Sequence, residues 1–191
     1  MTSAVDILVH SDQDLFLFLN GENTPWLDTV MYWVTYKFTW IPLYLVLLFL
    51  TVKAEKKRAI AIIVTVLAAV ILSDKIVSGF MKPYFARFRP CHEPLLEGLV
   101  HNVGGCGGSF GFASAHAATS FALAFVWFQL TKNKINNIGW LFAWAAIYSY
   151  SRVYVGVHYP GDIFVGAVVG LLTGWICVQL YLIFLKKYYP N

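Results

Sequence analysis

Apolar positions along this chain fall into long blocks rather than alternating stripes. Ala59 to Ser78, Ser114 to Leu130, Ile138 to Val155 and Ile163 to Leu185 are nearly unbroken. Each is close to the ~20 residues that a hydrocarbon core of about 30 Å demands. A fifth block, Trp40 to Val52, is shorter, and reaches that length only if part of Trp26 to Phe38 joins it as a kinked or interfacial helix. The first segment has another pattern. In "AVDILVHSDQDLFLFLNG", Ile7, Leu8, Leu15, Leu17 and Phe18 can share one helical face while Asp12 and Asp14 face water. The expectation is an all-α membrane protein with about five to six transmembrane helices in one bundle. Residues 1–38 form an interfacial amphipathic segment and residues 81–113 a long outer loop. No internal repeat, low-complexity tract or long linker divides the chain, so residues 1–191 are expected to form one integral-membrane domain. The start lacks a basic n-region and a small-residue cleavage site, so no signal peptide is expected.

Composition agrees, at 59% hydrophobic and 13% charged residues. Charge then orients the bundle. Lys53, Lys56, Lys57 and Arg58 share one loop, Lys132 and Lys134 another, and Lys186 and Lys187 follow the last block. All three groups come after an odd-numbered span, so those ends are expected to be cytoplasmic. The net charge of +4 is mostly topology and gives no reason to expect nucleic acid as a partner.

The awkward polar residues collect on the opposite, outer edge, in three clusters. The first is "KPYFARFRP", where Lys82, Arg87 and Arg89 break the positive-inside expectation. They either grip an anion such as phosphate, for which the guanidinium fork is suited, or snorkel to lipid headgroups. The second is "GGCGGSFGFASAHAATS", a glycine-rich approach to a helix starting near Ser114. Its free backbone amides and dipole make an anion site, and Ser114 is equally an N-cap. His116, two residues into a membrane helix, needs a partner or water. The third is "SRVYVGVHYPGD", in which Asp162 follows His158 by four residues and Arg152 precedes both. A carboxylate on one imidazole nitrogen fixes the tautomer and frees the other to attack or to take a proton; a structural Arg and Asp pair with a bystander histidine is the bland alternative.

Jointly the clusters describe phosphoryl transfer. Cations and backbone amides bind a tetrahedral oxyanion, one histidine attacks it, and a second protonates the leaving oxygen. Asp74 and Lys75 are polar extras near the same end and are expected to pair at the membrane edge. Cys91 and Cys106 share the outer loop, where an oxidising compartment permits a disulfide, and Cys177 is a packing residue. The spacing of Cys and His residues gives no convincing metal site.

The three clusters also carry a resemblance to the type 2 phosphatidic acid phosphatases, a family that shares its fold with vanadium haloperoxidases and bacterial acid phosphatases. Its first motif, a Lys, six residues and Arg-Pro, is met by Lys82 and Arg89-Pro90. Its third, Ser-Arg, five residues, His, three residues, Asp, is met by Ser151-Arg152, His158 and Asp162. Its second, Pro-Ser-Gly-His, is present as Ala113-Ser114-Ala115-His116, with two substitutions beside the retained Ser and His. The resemblance covers Ser73 to the C-terminus. It implies His158 as nucleophile, Asp162 as its orienting partner and His116 as general acid. It further implies phosphate binding by Lys82, Arg89, Ser114, Ala115 and Arg152, with Arg87 auxiliary, and neither metal nor other cofactor.

The membrane setting then implies a lipid phosphate as substrate, reached laterally between helices at the outer leaflet. Trp40, Tyr84, Phe85, Tyr154 and Tyr159 are expected as interfacial anchors or as the lining of that access. The resulting expectation is a lipid phosphatase of a bacterial inner membrane, its site facing the periplasm. Undecaprenyl diphosphate, phosphatidylglycerophosphate, phosphatidic acid and lipid A phosphates are the candidate substrates, with undecaprenyl diphosphate in front. A phosphotransferase with the same phosphohistidine, and a non-enzymatic lipid-phosphate binding or transport protein, are the alternatives; a haloperoxidase has no use for the lipid-embedded layout.

Overall fold

The apolar blocks form helices whose ends are set by a few local features. The computed structural model describes residues 4–188. Its helices are α1 (Ala4–Gly21), α2 (Pro25–Thr35), α3 (Ile41–Glu55), α4 (Ala59–Asp74), α5 (Lys82–Phe85), α6 (Ala115–Thr131), α7 (Trp140–Tyr154) and α8 (Pro160–Tyr188). Pro25 and Pro160 stand at first helical positions, where a missing N–H costs nothing. Lys56, with φ of 47°, breaks the chain between α3 and α4, which pack on each other through Leu47, Val66 and Ala69. A π-helical turn over Lys75–Met81 joins α4 to α5.

The five expected blocks are thus all helical, and among the described residues no strand forms beyond an isolated bridge between Phe88 and Phe110. Two stretches, Lys37–Phe85 and Pro160–Lys187, are long and apolar enough to cross a membrane, with mean hydropathy 2.4 and 2.2; the first contains the break at Lys56. The helix exteriors suit lipid. On α4, Ala59, Ile62, Val66, Ala69 and Ser73 are buried at steps of three and four, while Ile60, Val64, Leu67 and Ile71 are exposed. Contiguous apolar surface of that extent marks a membrane-facing side.

The most intimate packing joins α6 to α8. Gly166, Gly170 and Gly174 recur every four residues along α8 and meet Ser114, Ala118 and Ala122 of α6. A methyl group at Gly166 would lie 2.5 Å from the Ser114 carbonyl oxygen, and one at Gly170 would overlap that of Ala118. This is the small-residue seam that lets helix backbones touch in a membrane. At the basic end, Lys134 Nζ reaches Glu55 Oε2 at 2.7 Å and ties the α6–α7 connection to the end of α3.

The first segment is more than an interfacial float. Asp14 is exposed as expected, but Asp12 does not face water: its carboxylate pairs with Arg87 at 2.8 Å. Phe16 is fully buried. Asn20 accepts from the His101 amide at 2.8 Å and donates to the Tyr154 carbonyl at 2.8 Å, which fastens α1 to the end of α7. Asp28 of α2 receives Tyr154 Oη at 2.7 Å and faces His101 Nε2 at 2.8 Å. Tyr154 and Tyr159 are therefore core residues rather than anchors, because their hydroxyl ends or rings are engaged from within. Trp40 likewise packs inward against Trp144 and Tyr148, whereas Tyr84 and Phe85 are exposed.

Candidate active site

The end of α7 and the start of α8 create the centre of the site. After Tyr154 the chain turns through Gly156, whose φ of +80° and lack of a side chain let it pass against the His101 carbonyl; a Cβ there would sit 2.5 Å from that oxygen. The amides of Val157 and His158 both donate to the Arg152 carbonyl, at 3.1 and 3.2 Å, so the turn folds back over the helix it leaves. His158 is thereby buried and its Nδ1 stands 3.1 Å from Asp162 Oδ2. The same carboxylate oxygen accepts the Tyr159 amide at 3.0 Å, and Oδ1 accepts Arg87 Nη1 at 3.1 Å. With Nδ1–H given to Asp162, Nε2 carries the lone pair. Arg89 Nη1 stands 3.4 Å from it.

The other clusters close around this pair. Arg89 is fixed by its amide on the Ser109 carbonyl at 3.0 Å and by Nη1 donating to the Val157 carbonyl at 3.3 Å. Arg152 Nη1 donates to Thr35 Oγ1 at 2.6 Å. The Nε groups of Arg89 and Arg152 are buried without a hydrogen-bond partner among the described residues. Buried donors of this kind are costly unless something else accepts from them. Ser114 is the N-cap of α6: its Oγ faces the Ala117 amide at 3.5 Å and its own amide donates to the Asp162 carbonyl at 2.9 Å. Ala115 therefore opens α6 with its backbone beside the site, and His116 follows, packed on the Tyr148 ring at 5.1 Å between centroids. Lys82, Arg89 and Arg152 are all close enough to His158 to act on its charge. Burial, reinforced by Arg89, Arg152 and Lys82, holds the His158 imidazolium well below its ordinary pKa, so the ring is neutral.

Two of the expected roles change. Asp74 takes a hydrogen bond from Ser78 Oγ at 3.0 Å, and among the described residues no ion pair joins it to Lys75. Neighbours in sequence on a helix point apart, so the expected pair cannot close. Arg87 turns away from the phosphate-binding group and spans Asp162 and Asp12, its guanidinium 3.9 Å above the Tyr159 ring. Cys91 and Cys106 are bonded, with Cα atoms 6.0 Å apart, and brace the outer loop.

Two cavities meet here. One, of about 490 Å³, is polar and is lined by Arg89, His116 and Arg152 together with Gly104 to Gly107 of the outer loop. The other, of about 680 Å³, is an apolar groove among α3, α4, α6 and α7. Lys37 and His116 line both, and sequence reading gave neither Lys37 nor Thr35 nor Tyr148 a part. Among the described residues, no group of three or more His, Cys, Asp or Glu is placed to hold a metal ion.

Comparison with known proteins identifies the family. The family model of the PAP2 superfamily matches residues 59–185. Lipid A 4'-phosphatase of Porphyromonas gingivalis is 37% identical over 181 residues, covering 93% of this chain and 76% of that protein. The crystal structure of Aquifex aeolicus LpxE superimposes with a TM-score of 0.70 at 28% identity, over 87% of this chain and 94% of that one. A transmembrane PAP2-type phosphatidylglycerolphosphate phosphatase from Bacillus subtilis shares the fold, with a TM-score of 0.68 at 20% identity over 97% and 89% of the two chains. The chain belongs to the PAP2 superfamily and is a membrane phosphatase of that family.

Proposed function

We propose that this chain removes a phosphate monoester from a lipid, with a lipid A-type glycolipid as its substrate, through a phosphohistidine at His158. The observation that carries the reading is the junction of the two cavities at His116. A phosphate in the polar cavity meets Arg89, Arg152 and His116, with His158 Nε2 3.4 Å from Arg89 Nη1, and the apolar groove beside it accepts the hydrocarbon of the same molecule. The identity to a lipid A 4'-phosphatase over most of both chains supports that class ahead of undecaprenyl diphosphate.

The geometry supports the following steps. Phosphate oxygens accept from Arg89 and Arg152 Nε, from Lys82, from the Ser114 hydroxyl and from the Ala115 amide that opens α6. Nε2 of His158 attacks phosphorus in line while Asp162 holds Nδ1–H, and the P–O bond to the lipid breaks. His116 gives its proton to the departing lipid oxygen. It then takes a proton from the water that cleaves the N–P bond, which releases inorganic phosphate and restores His158. Charge on the transferring group is met throughout by fixed cations, so no metal is needed. In this reading the protein is one domain with five spans. Its basic ends are cytoplasmic and its site lies at the outer face of a bacterial inner membrane.

The test is phosphate release in detergent with excess EDTA from lipid A, undecaprenyl diphosphate, phosphatidylglycerophosphate and phosphatidic acid. His158→Ala and His116→Ala are assayed alongside. The expected result is EDTA-resistant release, fastest from lipid A and lost in both variants, with an acid-labile phosphoprotein trapped from the wild type. Unchanged release by His158→Ala would overturn the mechanism, and a faster rate on undecaprenyl diphosphate would overturn the substrate.

A further inference from the structure

His158 and Asp162 end in a contact that the phosphatase reading does not use. Asp162 Oδ1 meets Arg87 Nη1 at 3.1 Å, and Arg87 Nη2 meets Asp12 Oδ2 of α1 at 2.8 Å. The other oxygen of Asp12, Oδ1, accepts the amide of Gly161 at 2.8 Å, one residue before Asp162. The result is a closed ring. A residue 149 positions earlier in the chain holds both the backbone next to Asp162 and the cation on its carboxylate. The side chains of Arg87 and Asp12 are 22% and 17% exposed while that of Asp162 is 0%, so charge passes between them with little screening by solvent.

We propose that Asp12 is a positioning residue of the reaction, acting through Arg87 to set how much negative charge Asp162 presents to His158. This rests on the reading of His158 as nucleophile. A buried carboxylate facing Arg87 alone gives much of its charge to the guanidinium and holds Nδ1–H less firmly. Sharing Arg87 with Asp12 returns that charge to Asp162, where it stabilises the imidazole as Nε2 becomes bonded to phosphorus. Without Arg87, Asp162 keeps His158, the Tyr159 amide and the charge of Arg89, gives less of its own charge away, and His158 becomes more basic. The other groups facing His158 are Arg89 and Lys82 from the α4–α6 connection, Arg152 from α7 and His116 from α6, and none of these changes in the variants below.

Docking of α1 does not depend on Asp12. Phe16 is fully buried and Asn20 bonds to the Tyr154 and Val153 carbonyls and the His101 amide, so α1 stays in place when Asp12 loses its charge. The amide oxygen of Asp12→Asn still accepts from Gly161.

The experiment measures kcat and KM against pH for Asp12→Asn, Arg87→Gln, Arg87→Lys and the double variant D12N/R87Q, beside His158→Ala. For Asp12→Asn, kcat is expected to fall about threefold to tenfold with KM little changed. The acid limb of its kcat/KM profile moves to lower pH by about half a unit, and that of Arg87→Gln moves to higher pH. Arg87→Lys restores the wild-type limb in large part, and the double variant is no slower than Arg87→Gln alone. A limb unmoved in Asp12→Asn, limbs displaced the same way in both single variants, or losses that multiply in the double variant would overturn the proposal while leaving the phosphatase reading intact. Activity surviving in His158→Ala would overturn both.

Discussion

The seam between α6 and α8 and the charged end just beyond it are joined at Ser114, yet they are built by opposite means. Along the seam there is almost nothing but backbone: Gly166, Gly170 and Gly174 against Ser114, Ala118 and Ala122. Distance there is set by exclusion, since only the Cβ of Ala117 and the side chain of Phe125 stand beside the backbone. At the charged end Asp162, His158, Arg89 and Arg87 hold each other by directed contacts between 3.0 and 3.4 Å, and the Tyr159 amide adds one from the backbone. Direction there is set by attraction. The two depend on each other, because His116 hangs from α6 and Asp162 from α8. Their mutual reach is the seam's spacing carried one turn further, which explains why so polar a site rests on so plain a contact.

Enlarging the seam should have the largest effect. Gly170→Leu must push α6 and α8 apart, since even a methyl group overlaps the Ala118 carbonyl. The expected outcome is loss of folded protein from detergent extracts, read by size-exclusion chromatography. The milder Gly174→Ala, where the added atom would sit 3.2 Å from the Ala122 carbonyl, should cost about 1–3 kcal/mol and lower the melting temperature. If Gly174→Ala melts like the wild type, the seam does not set the spacing. At the charged end the expected loss is in rate instead. Arg89→Gln removes a donor to the transferring group, and kcat should fall about 100-fold to 1,000-fold while the melting temperature changes little. Collapse of the fold in that variant would show that the charged end is structural after all.

The two regions were unequally legible in the sequence. The apolar blocks named α3, α4, α6, α7 and α8 to within a few residues, because burial in lipid needs length and little else. The three polar clusters were legible because a membrane protein has few reasons to keep such residues. Their convergence adds Thr35 and Lys37 on the polar cavity and Tyr148 on the apolar groove beside it, all three with ordinary sequence surroundings. Asp12 was read as facing water because on its own helix it lies off the apolar face. Its partners Arg87 and Gly161 are far along the chain, and no local pattern records such a contact. The seam was missed for the converse reason: glycines every four residues in α8 look like helix weakness until a partner helix is laid against them.

Opening the disulfide tests whether the charged end needs its loop. The Cys91–Cys106 bond closes a segment of 15 residues, and removing it with Cys91→Ala/Cys106→Ala should cost about 3 kcal/mol by chain entropy. Cys106 and the glycines beside it line the polar cavity, so KM should rise severalfold while kcat changes less. Equal KM values in the two proteins would mean that the helix ends hold the cavity by themselves.

The smallest effect is a displacement on the pH axis, and it separates attraction from exclusion most cleanly. Attack requires neutral His158, and burial together with Arg89, Arg152 and Lys82 holds its pKa below the ordinary value of 6.5. The acid limb of kcat/KM should therefore lie below pH 6.5, not on it. The same depression has a stability consequence of fixed sign. Below pH 6.5 the unfolded chain takes up a proton that folded His158 refuses. Its contribution is thus complete above that pH and is lost as the pH falls toward the folded value. Arg152→Gln removes one of the cations, so the limb should move up toward 6.5, and the pH at which the acid destabilisation levels off should move up with it. Gly174→Ala alters spacing without altering charge, and its profile should keep the wild-type limb. A limb that moves in Gly174→Ala and stays in Arg152→Gln would reverse the division of labour, making the spacing of the helices, and not the cations, the source of the neutral imidazole.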